Sequence, residues 1–214
     1  MVREAGGETL DTVLDEPAQS PQWQSDPERR QGWLTSAGFR LRRATSRWSR
    51  AANDPLAAPP ARLSFQTFSE TGEAEFLSAV ERVGSDAKDR YAVAERHRLG
   101  SAVAARALYD ELCGMEWELE WWELAYDRAG DFVGLVVPTV GPSMGTIGYI
   151  GVAPEQRGLG YVNDLLARGT ATLMQSNAPV LRADTDLDNA PMAAAFARAG
   201  WHAVGTRREF ETRL

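Results

Sequence analysis

Apolar and polar positions alternate over residues 63–67 (LSFQT), which predicts a strand. The period then becomes helical. Thr71 can cap a helix reaching about Val83, with Phe76, Val80 and Val83 on one face. A second helical region opens at Ser85-Asp86 and runs to about Leu112, bent near Gly100. Residues 117–127 (WELEWWELAYD) read as a strand, 128–131 as a turn, and 132–138 as the strand that pairs back in a hairpin. Residues 145–152 (GTIGYIGV) give another strand. Then come a helix over about 158–175, a strand at 180–184, a helix over about 190–198 and a last strand at 204–212.

The order is strand, two helices, a meander of strands, helix, strand, helix, strand. It predicts a mixed α/β sandwich rather than a doubly wound parallel sheet. Residues 46–62 are rich in Ala and Pro and keep no sustained period, although the first few can continue a strand. The chain is therefore expected to divide into an N-terminal segment (1–50), a linker (51–62) and a main domain (63–214). Residues 28–48 echo the end of the chain. Both stretches read helix, glycine, aromatic, strand, at Gly38-Phe39 and at Gly200-Trp201. Either two helix-to-strand corners resemble one another by chance, or the first segment is a remnant of a second copy. A piece that short would have to pack on the main domain.

Composition narrows the functions. The 214 residues are 43% hydrophobic and 25% charged, as in a globular protein able to build a core. The single Cys113 excludes an internal disulfide, and two distant histidines, His97 and His202, argue against a metal site. No apolar run approaches a membrane span, and the N-terminus has no secretory pattern, so a cytoplasmic location is expected. The net charge of −7 disfavours nucleic acid and suits either solubility alone or a cationic partner such as an amine.

The chemistry concentrates in 147–166 (IGYIGVAPEQRGLGYVNDLL). Pro154 stops the strand after Val152. A turn, Arg157-Gly158-Leu159-Gly160, then opens an amphipathic helix that carries Val162, Leu165, Leu166 and Leu173 on one face. A strand, a glycine turn and a helix N-terminus together make an anion site, because the first helical amides are unpaired and glycines allow close approach. Asn163 and the absence of Gly-Lys-Ser/Thr rule out the Rossmann and P-loop patterns.

The run Val152-Ala-Pro-Glu-Gln-Arg-Gly-Leu-Gly resembles the acetyl-CoA motif of the GNAT superfamily, Arg/Gln-x-x-Gly-x-Gly/Ala after a Val-x-Pro-Glu turn. Arg157 and Gly160 match its first fixed positions, and Val162 stands where Gly or Ala is usual. Residues 185–201 resemble a later element of the family, with Asn189 at the pantetheine-contacting asparagine and Gly200-Trp201 at the Gly-Phe corner. The order of elements agrees over 63–214. The resemblance implies a mostly antiparallel central sheet flanked by helices and splayed at two central parallel strands. It implies acetyl-CoA as acyl donor, no metal, and an amine acceptor, small molecule or peptide, that attacks within a ternary complex. Homodimerisation is left open. The cofactor contacts it implies are Ile150, Gly151, Val152, Arg157, Gly158, Leu159, Gly160, Tyr161, Val162, Asn189 and Phe196.

The family's usual proton-handling groups have no match. Strand 145–152 lacks a carboxylate, and Phe196 occupies the place of the helix tyrosine. A catalytically silent acyl-CoA-binding module is therefore the alternative to an enzyme. Substitutes are sought among Asp184 and Asp186 at a parallel strand end, Glu123 among tryptophans, and Tyr149 and Tyr161. Each has a plain structural reading beside it: a helix cap, an exposed edge glutamate, a packed tyrosine. Trp117, Trp121 and Trp122 can wall the acceptor site or pack the sheet. Cys113 is expected as a buried thiol, not a nucleophile.

Overall fold

A computed structural model describes residues 9–19, 24–56, 61–87 and 89–213. The N-terminal residues contribute strand β1 (Thr9–Glu16), helix α1 (Pro27–Ser36) and strand β2 (Arg40–Ala51). They are followed by β3 (Ser64–Thr67), α2 (Phe68–Gly84), α3 (Arg90–Leu99), α4 (Ser101–Cys113), β4 (Glu123–Tyr126), β5 (Phe132–Gly141) and β6 (Met144–Val152). A short 3-10 turn at Pro154–Gln156 leads to α5 (Tyr161–Met174), β7 (Val180–Asp186), α6 (Ala190–Arg198) and β8 (His202–Arg213). The strands form one eight-stranded sheet in the order β1-β8-β2-β7-β6-β5-β4-β3. Among the described strands only β6 and β7 run parallel. This is the mixed, mostly antiparallel sheet expected.

Two cores lie on opposite faces. On one, α5 and α6 bury Leu165, Leu166, Leu173 and Phe196 against Val133, Val136, Leu181 and Trp48. On the other, α2 and α4 bury Phe76, Val80, Val83 and Leu112 against Trp122, Leu124, Leu135 and Val137. The residues of α5 and α6 that reach the sheet recur at helical spacing, which is why these helices form against it.

Several boundaries differ from the expectation for local reasons. Helix α2 begins at Phe68, because Thr67 and Glu70 form a capping box in which the Glu70 carboxylate accepts from the Thr67 amide at 2.7 Å. Gly72, at φ +75°, interrupts the helix close to where Thr71 was expected to start it. The bend expected near Gly100 is a full break at φ +84° between α3 and α4. Strand β4 starts only at Glu123. Upstream, the Leu119 and Trp122 carbonyls accept from the amides of Ser69 and Phe68, and Trp117 stacks on Trp122 at 3.9 Å. Serving the start of α2 takes these residues out of the ladder.

The N-terminal segment is part of the sheet itself. Strand β2 lies between β7 and β8, antiparallel to both, and β1 forms the edge beyond β8. Strand β2 continues to Ala51, through the first residues of the stretch without period, and part of the expected linker, 57–60, lies outside the described residues. The echoed corners close with one pattern: Phe39 N–H donates to Leu34 O at 2.9 Å and Trp201 N–H to Phe196 O at 3.0 Å. Gly38 and Gly200 take the positive φ this requires.

Candidate active site

The turn after β6 is where the sequence places an anion cradle. Gly158 (φ +82°) and Gly160 (φ +79°) turn the chain into α5, with Gly160 at the N-cap. Little crowds either position, so backbone conformation is what asks for glycine here. The amides of 158–162 donate to no acceptor among the described residues. They sit at the positive end of a 14-residue helix. Unpaired amides with open space beside them fit a diphosphate. Val162 turns inward and packs on the α5 core, which leaves the mouth clear of its side chain.

Arg157 contributes differently from the expected charged donor. Its guanidinium is committed to the end of α2 and to its own strand. It donates to Val83 O at 3.2 Å, to the Asp86 carboxylate at 2.9 Å and to Val152 O at 3.1 Å. It fixes the turn against α2. The cations at the mouth are two that the sequence did not reveal. Arg62 donates to Leu159 O at 3.1 Å, lies 4.9 Å from the Tyr161 ring and pairs with Asp164, whose side chain is 3% exposed. Arg198 donates to Asn163 Oδ1 at 3.1 Å. Neither sits at an informative spacing from the glycines, so no local signal could have found them.

Beside the cradle the sheet opens. Strands β6 and β7 pair only at Gly145↔Leu181 and Thr146↔Arg182. Past these, Tyr149, Ile150, Gly151 and Val152 pair with β5 on one side and, among the described residues, with no strand on the other. A register shift at Gly148 sets Tyr149 on the α2 face. Ile150 and Val152 face α5. A side chain at Gly151 would strike Cγ1 of Val83, so glycine is what lets α2 approach the strand. The Tyr149 hydroxyl makes no hydrogen bond among the described residues. Burial, helped by the Asp89 carboxylate and opposed by Arg157, pushes its pKa up to about 12.

The candidate carboxylates separate. Glu123 is 1% exposed and neither an edge residue nor free, since Arg168 of α5 donates to both its oxygens at 2.7 and 2.6 Å. It faces α5, away from Tyr149. Asp184 lies on the α2 face of β7 with its side chain 33% exposed, and accepts from Arg47 Nε at 3.3 Å. Asp186 is buried. Its Oδ2 accepts from the Arg90 amide at 2.6 Å, so it holds the start of α3 rather than capping α6. Burial first, and Asp89 beside it, raise its pKa above the usual aspartate value. Asn189 is the cap of α6 and accepts from Met192 N at 3.3 Å. Phe196 is 1% exposed, stacked on Trp48 at 5.5 Å and edge-on to Trp201 at 5.4 Å. Its ring belongs to the core and does not line the opening. Trp122 is likewise core and donates to Pro138 O at 3.0 Å. Cys113 is exposed at the end of α4, not buried as expected.

Residues 100–201 match the model of the acetyltransferase (GNAT) family. No curated protein matches the chain. Among solved structures, a GCN5-related N-acetyltransferase from Sphaerobacter thermophilus aligns with a TM-score of 0.66 at 18% identity, covering 96% of this chain and 59% of that one. A tandem GNAT protein from the clavulanic acid biosynthesis pathway aligns at 0.61 and 17%, covering 96% and 64%. A GCN5-related N-acetyltransferase from Kribbella flavida aligns at 0.56 and 14%, covering 94% and 67%. The chain thus spans about three-fifths of the length of the first two. At these identities the likeness concerns the fold. The splayed sheet and the glycine turn agree with these likenesses: the chain has a GNAT-like fold, and its residues 100–201 match the GNAT acetyltransferase model.

Proposed function

We propose that the protein transfers an acetyl, or another short acyl, group from its CoA thioester to an amine. The observation that carries this reading is the set of unpartnered amides at 158–162 beside the open edge of β6. Those amides would receive the diphosphate, with Arg62 and Arg198 flanking it. The open edge at Ile150, Gly151 and Val152 would pair with the pantetheine amides and offer a donor to the thioester oxygen. Asn189, at the start of α6, would approach the same arm through its amide nitrogen, since its oxygen is used in the cap. Acetyl-CoA, when bound, supplies the activated acyl carbon.

The chain's own residues then handle two protons. Asp184, partly exposed on the acceptor face, takes one from the incoming ammonium, and the freed amine attacks the acyl carbon. Tyr149, held protonated by burial and free of other partners, gives one to the departing sulfur. Glu123 serves the fold through Arg168. The test is release of free CoA thiol with a panel of amines. Tyr149→Phe should lower kcat by about 100-fold, the scale of one general-acid contribution, with melting temperature unchanged. Full activity in that variant would remove Tyr149 from the reaction. Tight CoA binding with no thiol release toward any amine would contradict turnover itself.

A further inference from the structure

Register arranges polar side chains of β7, β2 and β8 in rows on the face that carries Tyr149. Directly opposed residues of antiparallel strands share a face. Asp186 lies opposite Thr45, Asp184 opposite Arg47, and Arg182 opposite Ser49, which in turn opposes His202. Most of the charges here are matched. Arg47 pairs with Asp15 at 2.9 Å and Asp184 at 3.3 Å, and Arg43 pairs with Asp89 at 2.6 Å. Arg207 pairs with Asp15 at 2.8 Å.

Arg182 differs from these. It is half-buried, yet its guanidinium makes no ion pair or hydrogen bond among the described residues. Burial and the neighbouring Arg47 act against its charge, and only Asp184 supports it. It is also the last β7 residue paired with β6, where Thr146 Oγ1 donates to its carbonyl at 3.0 Å. The opening between the strands begins directly past it. A partly desolvated cation without a partner, at the root of the opening, favours the arrival of an anion.

Resting on the acyl-transfer reading above, we propose that Arg182 sets acceptor specificity, and that the acceptor is a compact amino acid whose carboxylate pairs with it. The planar fork of arginine suits a carboxylate. Asp184, two residues along the strand, stands roughly 6.6 Å from Arg182 in backbone position. That carboxylate repels a phosphate dianion but attracts an ammonium group. One end of the site therefore takes the acid group and the next takes the amine, beside the open edge of β6. The hydroxyl of Ser49 lies across from Arg182 as a further donor.

The test compares thiol release with neutral amino acids and with their carboxamides, which keep the amine and lose the anion. The readout is the ratio of kcat/KM for acid over amide, taken within each protein, so a change in folded fraction cancels. The wild type should prefer the acid by on the order of 10- to 100-fold, the range for a hydrogen bond to a charged partner. Arg182→Gln should bring the ratio near one, chiefly through KM, and Arg182→Lys should recover part of it. A wild-type ratio near one, or a preference that survives Arg182→Gln, overturns the proposal while leaving the transferase reading intact. Acetyl-CoA that binds but is never turned over with any acceptor overturns both.

Discussion

Removing Arg62 should weaken CoA binding through the charge it leaves behind. Asp164 sits in the first turn of α5, buried, and Arg62 neutralises it. Three residues of helical rise plus one hydrogen bond put a bound phosphate roughly 8 Å from this pair. In Arg62→Gln the site loses one positive charge. Two unit negative charges on the diphosphate then face an uncompensated carboxylate. At an effective dielectric constant of about 20, each pair of unit charges at that distance is worth about 2 kcal/mol, or about 4 kcal/mol in all. The Arg62 side chain is 40% exposed, so solvent screening should reduce this to about 1–2 kcal/mol. The dissociation constant for CoA should accordingly rise about 5- to 30-fold, measured by isothermal titration at low salt. The double variant Arg62→Gln/Asp164→Asn restores neutrality and should return to within about 3-fold of wild type. An unchanged affinity in the single variant, or a double variant no better than the single, would refute the electrostatic reasoning.

Phe196→Tyr places the family's tyrosine at its usual position, but here the ring is packed between Trp48 and Trp201. Denaturant unfolding should show a loss of about 1–3 kcal/mol from a buried hydroxyl without a partner, with no gain in thiol release. Asp15 is raised by burial but held below its usual value by Arg207 and Arg47. Acid therefore protonates the unfolded chain first, and stability should fall as pH drops below about 4 and through the lower folded value. Asp15→Asn should cost about 3 kcal/mol at neutral pH and flatten that acid limb in urea midpoints followed against pH. Arg157→Gln should act mainly on stability, by about 2–3 kcal/mol for the lost ties to Val83 and Asp86. It should weaken CoA binding only as far as the turn loosens, so a large loss of affinity at unchanged melting temperature would contradict its structural role.

The geometry of the glycine turn was legible because its determinants are local: a strand stopped at Pro154, glycines spaced for two positive φ angles, and a helix with an apolar stripe. What the sequence concealed depends on contacts between distant residues. Arg62 meets Asp164 across 102 positions, and Arg157 meets Val83 across 74, so nothing near Arg157 announces that its charge is already engaged. Glu123 reads as a candidate base amid tryptophans because its partner, Arg168, lies on a helix 45 residues away. The alternation at 117–122 is strand-like, but those residues serve α2 and an aromatic stack instead. Periodicity also says nothing of strand order. The insertion of β2 between β7 and β8 is a pairing choice, and no hydropathy pattern records it. Strand β1, with Asp11, Asp15 and Glu16 among its eight residues, gave too weak an alternation to be read at all.

The proposed acyl transfer requires a diphosphate to rest on the amides opening α5. It is tested most directly by titrating an isotopically labelled sample with CoA and following the backbone amide resonances. The resonances of 158–162 should shift first and furthest, saturating together with the bound fraction. Shifts concentrated elsewhere, with those amides still, would contradict it.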